Sequence, residues 1–224
     1  MHDKGTSNTT NQIWCWLSKN YLTIIIIVLL LYLSGAFLAP VFMEIGWDYV
    51  AYPIYYFYSH CHQLAFRSWF LFGERAFYPR SLANIQGVIN YEEIIRNENL
   101  DLEMARKFLG DKTLGFKVAL CQRDVAIYSS LLLAAIMFWL SGRRIKPIPW
   151  YFWVLIGITP IALDGITQLG GLDIDFLAWL PTRESTPLLR TFTGGLFGSM
   201  TGFYLYPLLE ESMQISQKHN FKEK

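Results

Sequence analysis

Cys61 and His62 stand side by side in the stretch YSHCHQLAFRSWFLF, and much later Cys121 is followed three places on by Asp124 in CQRDVAIY. Two thiols, an imidazole and a carboxylate are the donor types that tetrahedral zinc accepts, so Cys61, His62, Cys121 and Asp124 form one candidate metal set. The same two cysteines would form a disulfide in an oxidising compartment. A neighbouring Arg67 or Arg123 would instead make one of them a reactive thiolate. The residue types leave all three chemistries open. His60 is two places from His62 and cannot share a helix face with it, so it reads as a boundary residue. Cys15 is left as an odd thiol.

Two further clusters carry chemistry. Asp164 and Gln168, in LDGITQLGG, are one helical turn apart and so share a face, with Asp164 the candidate acid/base. In TRESTPLLRTFTGG, Ser185 or Thr186 can cap a helix opened by Pro187. Arg183 and Arg190, seven residues apart, would lie on one face and grip a phosphate or carboxylate. With Glu184, Arg67 and Arg123 they make up a candidate substrate-binding set, for which an anionic membrane lipid headgroup is the nearest ligand. The plain structural alternative is an ion network in which Asp164 only neutralises Arg123, Arg183 or Arg190.

These residues need elements to position them. The chain has 224 residues, is 53% hydrophobic and 17% aromatic, and carries a net charge of +1, which marks neither a nucleic-acid binder nor a disordered chain. Its charge is missing from four blocks: Tyr21 to Met43, Val125 to Gly142, Ile148 to Leu163 and Phe192 to Leu209. A hydrocarbon core of about 30 Å needs ~20 apolar residues in a helix to cross it. The expected fold is therefore all-α: one polytopic membrane domain over 1–224 with about four transmembrane helices. The first block is too long for the apolar region of a cleaved signal and reads as an anchor.

Basic residues near short loops stay cytoplasmic, and SGRRIKP joins the second and third blocks. That predicts a multi-pass protein of the cell membrane with both termini cytoplasmic. It leaves Glu44 to Asp124, and roughly Gln168 to Arg190, outside. The Tyr- and Trp-rich stretch Trp47 to Ser59 predicts an interfacial helix, with a fifth crossing as the runner-up. Leu82, Ile85, Val88 and Ile89, then Leu102, Ala105, Phe108 and Leu109, repeat at helical spacing. With Asp101 as cap and Gly110 as stop they predict a helical extracytoplasmic insertion over 80–120. Gly194 and Gly198 form a GxxxG step for close helix packing. On this topology every reactive cluster falls on the outer face, where ionisable groups beside membrane helices usually mark a site.

The stretches CHQ and RS within 61–68, CQRD at 121, DGITQ at 164 and REST, LR and TG within 183–194 resemble the integral membrane family named domain of unknown function two thousand and eighty-five. The resemblance runs from about Tyr55 to Gly198, with Asn84 to Lys117 similar to an insertion. It implies a polar site in a helical membrane protein. The family pattern often has a cysteine where this chain has Asp124, which implies metal binding or redox pairing in relatives and a weaker case for it here; it supplies no reaction. Two functions follow. One is a membrane-embedded hydrolase or transferase with zinc as cofactor, acting on a lipid-linked or anionic substrate. The other is a non-enzymatic membrane-complex subunit or transporter component, homo-oligomeric or in a larger complex, with a structural ion network and a Cys61–Cys121 disulfide.

Overall fold

The computed structural model describes residues 4–96, 101–168 and 183–222, with side chains described between 13 and 215 in those ranges. Most of the outer segment expected between Gln168 and Arg190 thus lies outside the described residues, as do both chain ends.

Helices dominate. The long helix α1 runs Lys4–Glu44, α2 runs Asp48–Phe57, and two short helices, α3 (Tyr91–Ile95) and α4 (Leu102–Lys107), follow. Helix α5 spans Gln122–Leu140. The third apolar block forms a continuous helix over Trp150–Ile166, made of α6 (Trp150–Phe152), a π-helical stretch at Trp153–Ile158 and α7 (Thr159–Ile166). Pro160 lacks the N–H that would bond back into this stretch, and the Thr159 hydroxyl donates to the Val154 carbonyl at 3.0 Å, so the widened turn keeps its acceptors occupied. Helix α8 covers Pro187–Lys222.

Two helices, Ile13–Glu44 within α1 and Gln122–Leu140, are long and apolar enough to cross a membrane. Their large apolar side chains point away from the protein: Leu31 is 69% exposed, Val28 57%, Leu133 60% and Leu140 71%. A core helix of a water-soluble domain would bury those groups, so the outward apolar face suits lipid. Trp150–Ile166 is apolar but shorter. The expectation of four spans is thus met by two of the four blocks on length and composition.

Helix α8 packs along α5 through its glycines. A Cβ on Gly194 would run into the Arg123 carbonyl, and one on Gly198 into the Ile127 carbonyl and the Ser130 hydroxyl, whereas Gly195 faces open space. The GxxxG step therefore joins two helices of one chain. Helix α1 closes the bundle, with Tyr21 and Leu22 packed among Ala134, Ala135, Phe138 and Tyr206.

The Trp47–Ser59 stretch does form a helix, α2, but of 10 residues. At 1.5 Å per residue it covers about 15 Å, half of a bilayer core, which rules out the fifth crossing.

The all-α expectation fails at one place. Strands β1 (Ser68–Leu71), β2 (Gly110–Asp111) and β3 (Gly115–Cys121) form an antiparallel sheet in the order β1-β3-β2, with β2 and nearly all of β3 inside the 80–120 segment read as a helical insertion and β1 ahead of it. Its register pairs Ser68 with Cys121 and Phe70 with Lys117, with a bulge between. β3 escapes sequence reading because Gly115 to Leu120 are buried throughout, so the alternation that announces a strand is absent. One side packs on Ala36, Ala39, Ala51 and Tyr55 of α1 and α2. Gly110 does not stop a helix. It sits in β2 at φ +96, and the Asp111 carboxylate accepts from the Thr113 and Leu114 N–H groups at 2.7 and 2.8 Å to turn the chain into β3. The helix expected from Leu82 to Ile89 is also missing, because Asn84 and Gly87 adopt left-handed backbone (φ +50 and +73) and leave only a 3-10 turn at Ser81–Ala83. The second insertion helix is present as α4, capped by Asp101, whose carboxylate accepts from Glu103 and Met104 N–H at 2.8 and 3.1 Å.

Candidate functional site

The start of α5, the end of α7 and the start of α8 meet beside the 3-10 turn Ala65–Arg67, and they bring four arginines and two acids together. Asp164 lies at the end of α7 with its side chain 2% exposed. It accepts from Arg123 Nη2, from Arg183 Nη2 at 3.2 Å, from Ser185 Oγ at 2.9 Å and from Gln168 Nε2 at 3.3 Å. Gln168 also reaches the Asp164 carbonyl at 2.6 Å, so the expected shared face is present. Glu184 is equally buried. Arg67 clasps it with two parallel bonds, Nε to Oε1 at 2.8 Å and Nη2 to Oε2 at 2.9 Å, and Arg190 Nη2 donates to the same Oε1.

Arg190 is almost fully buried; its other amino group reaches Gln122 Oε1 at 3.4 Å. Gln122 in turn donates to the Ser68 carbonyl at 3.1 Å, which ties the network to the sheet. The two arginines of the REST segment do not share a helix face. α8 begins at Pro187, after Arg183, so Arg183 turns to Asp164 while Arg190 turns to Glu184. Of the two cap candidates, Thr186 takes the role, its hydroxyl accepting from Leu189 N–H at 3.2 Å, and Ser185 serves Asp164 instead.

Among the described residues, four guanidinium groups therefore face two carboxylates. Arg123 Nε is buried with no hydrogen-bond partner. An apolar cavity of ≈ 460 Å³ adjoins this cluster, lined by Trp69, Phe77, Ile85, Thr186, Leu188 and Thr191. Its walls begin two residues beyond Arg67 and two beyond Glu184.

The cysteine cluster forms separately, where α2, β3 and α5 meet. Cys61, Cys121 and Asp124 place one ligand atom each within 4.8 Å of one another. Both cysteines are free thiols. Cys121 caps α5, its sulfur accepting from Asp124 N–H at 3.4 Å. The thiol of Cys121 donates to Cys61, which holds Cys61 below the usual thiol range and, with burial, drives Cys121 well above it. His62 is exposed and stands apart from this cluster. His60, two places before His62, bonds Tyr32 Oη at 2.9 Å.

Three buried polar residues around these sites were not singled out by their sequence. Gln63 donates to the Tyr55 and Ala119 carbonyls at 2.9 and 3.0 Å and so locks α2 to β3. Lys117, fully buried in β3, donates to the Gln63 carbonyl at 2.8 Å, and burial lowers it to about 7. Gln122 is the third. Gln63 and Gln122 stand inside the CHQ and CQRD stretches with no role assigned to them there, and the signal for Lys117 was a lone lysine inside the apolar run GFKVALC.

At the opposite end of the bundle Tyr21 Oη donates to Glu210 Oε2 at 2.8 Å, Arg143 Nη1 reaches the same oxygen at 3.4 Å, and Arg143 Nη2 holds the Lys19 carbonyl at 2.8 Å.

Fold and site together describe a mostly helical, predicted membrane protein with a buried ionic cluster at one end of its helix bundle. Residues 112–204 match the family of predicted membrane proteins designated DUF2085. This bears out the resemblance carried by CQRD, DGITQ and REST, while CHQ at 61–63 lies ahead of the matched residues. The chain is also 29% identical over 202 residues to an uncharacterized protein of Methanocaldococcus jannaschii, covering 87% of this chain and 96% of that one. No solved structure matches the chain.

Proposed function

We propose that this chain is a four-span protein of the cell membrane, with both termini cytoplasmic, that binds the anionic head of a lipid-type ligand at its extracytoplasmic end. The single observation that carries this reading is the surplus of guanidinium over carboxylate in the Asp164–Glu184 cluster. A buried charge left without a counter-charge is costly, and arginine presents its donors in a fork that matches phosphate and carboxylate. An anion seated on Arg67, Arg123 and Arg183, which are 32%, 24% and 37% exposed, completes the charge balance. Arg190, already enclosed with Glu184, acts as scaffold.

The adjoining cavity supports a ligand with an apolar portion, since its lining is almost entirely hydrocarbon and its volume falls within the range of about 300 to 1,000 Å³ usual for ligand pockets. The two oxygens of Asp164 already accept from four side chains, so in this reading Asp164 positions the arginines instead of moving a proton. Four spans are supported by the arrangement of helix ends. The starts of α5 and α8 and the end of α7 gather at the arginine cluster, while Tyr21, Arg143 and Glu210 gather at the other end, as antiparallel crossings require.

Native mass spectrometry of protein exchanged into mixtures of phosphatidylglycerol and phosphatidylcholine tests the reading. The anionic lipid is expected to be retained over the zwitterionic one, and Arg183→Gln to weaken retention by about tenfold, the effect of losing ~1.4 kcal/mol. Equal retention of both lipids, or indifference to Arg183→Gln and Arg67→Gln, would sink it. Competition by inorganic phosphate alone would identify a free anion in place of a lipid head.

A further inference from the structure

The arginine cluster leaves the Cys61, Cys121 and Asp124 group unexplained, and that group has a chemistry of its own. We propose that Cys61 Sγ, Cys121 Sγ and an Asp124 carboxylate oxygen hold one divalent cation of the zinc type, with the fourth coordination position filled by an exchangeable ligand. The three donor atoms already lie within 4.8 Å of one another. Zinc bonds of about 2.3 Å to sulfur and 2.0 to 2.2 Å to oxygen set neighbouring tetrahedral ligands roughly 3.5 to 3.8 Å apart, so side-chain rotation closes the remaining gap.

The donors come from two places far apart in the chain, Cys61 from one and Cys121 with Asp124 from the other. Cys61 follows α2, its N–H bonded to the Tyr58 carbonyl at 3.0 Å; Cys121 ends β3; Asp124 lies in the first turn of α5. Gln63 bridges α2 and β3 beside Cys61, which fixes the two sulfurs relative to each other. This preorganisation lowers the ordering cost that a metal would otherwise meet.

The donor set also selects the ion. Two thiolates disfavour magnesium and calcium, which take oxygen ligands, and favour zinc, cobalt or cadmium. Cys121 and Asp124 are only partly buried, so an ion has a route in, whereas Cys61 is enclosed at 6% exposure. Three protein ligands with an open fourth position is the pattern of an exchangeable or catalytic zinc site; a purely structural one closes all four. His62, exposed, is not the fourth ligand in this arrangement. The proposal is independent of lipid binding at the arginines: Asp124 and Arg123 are adjacent but turned by about 100° on the helix, and each serves its own cluster.

Cobalt is the probe. Full-length protein purified in detergent with a phosphine reductant and stripped with chelator is expected to bind one equivalent of Co²⁺ with a thiolate-to-cobalt charge-transfer band that Zn²⁺ abolishes. Cys61→Ser and Cys121→Ser should each lose the band, and the near-isosteric Asp124→Asn should weaken cobalt binding by about tenfold or more while eluting and melting like the parent. Three results overturn the proposal. One is absence of the band when both thiols titrate as free. Another is a band that survives both cysteine variants. The third is non-reduced protein lighter by two hydrogens with Cys61 and Cys121 cross-linked, which would make the pair a staple.

Discussion

The two ends of the helix bundle each hold an ionic cluster, and the clusters differ in stoichiometry. At one end Arg143 meets Glu210, with Tyr21 as a second donor: one cation, one anion, both accounted for. At the other end Arg67, Arg123, Arg183 and Arg190 meet Asp164 and Glu184, and the cations outnumber the anions. A matched pair that ties α1 and α8 to the turn after α5 needs no ligand to explain it. An unmatched cluster does, because structure alone gains nothing from crowding like charges where water is scarce. On the proposed reading the balanced end is a clamp and the arginine-rich end a binding site, built from the same residue types.

Breaking each cluster should expose that difference. The largest effect is expected from Glu184→Gln, which leaves the enclosed Arg190 facing a neutral amide; stranding a buried charge costs about 3 to 5 kcal/mol, and a steep fall in melting temperature or in folded yield would show it. Next comes Gly198→Ala, where the new methyl meets the Ile127 carbonyl and pushes α8 off α5. Overpacking of this kind costs about 1 to 3 kcal/mol, while Gly195→Ala, facing open space, should be neutral or stabilising by about 0.4 to 1 kcal/mol in the same melting assay. At the matched end Glu210→Gln should cost about 1 kcal/mol or less, since Arg143 is 24% exposed and can turn to water, and lipid retention should not change. Smallest for stability is Arg183→Gln, within about 0.5 kcal/mol by chemical denaturation, although it should carry the largest effect on anionic-lipid retention. If Arg183→Gln destabilised the protein as much as Glu184→Gln and left retention untouched, the arginine-rich end would be a clamp like its counterpart.

The parts of this molecule that could be read in advance are those whose cause is local. Tyr21 to Met43 and Val125 to Gly142 announce membrane helices because an uncharged run of that length has one inexpensive environment. Asp101 and Thr186 announce helix starts because a cap bonds N–H groups two or three residues away. Gly194 and Gly198 announce a close approach because nothing else allows one. The sheet could not be read this way. Buried on both faces, β3 lost the alternation of a strand, and the Leu82 to Ile89 periodicity suggested a helix that Asn84 and Gly87 interrupt. Lys117 hid inside that unread sheet, and Gln63 in the link that packs against it.

The candidate sites divide along the same line. Residue types and spacing alone determined that arginines, acids and thiols sit near the helix ends, and that Asp164 and Gln168 share a face, because these depend on composition and one turn of helix. Only the tertiary structure decided that Arg67 pairs with Glu184, that Arg183 and Arg190 part company, and that His62 stays out while Cys61, Cys121 and Asp124 converge. Those choices join positions far apart in the chain, and they follow from how α8 packs on α5 and α7 while α1 and α2 cover the sheet. A charge surplus is a property of a shared volume, and no stretch of sequence contains that volume.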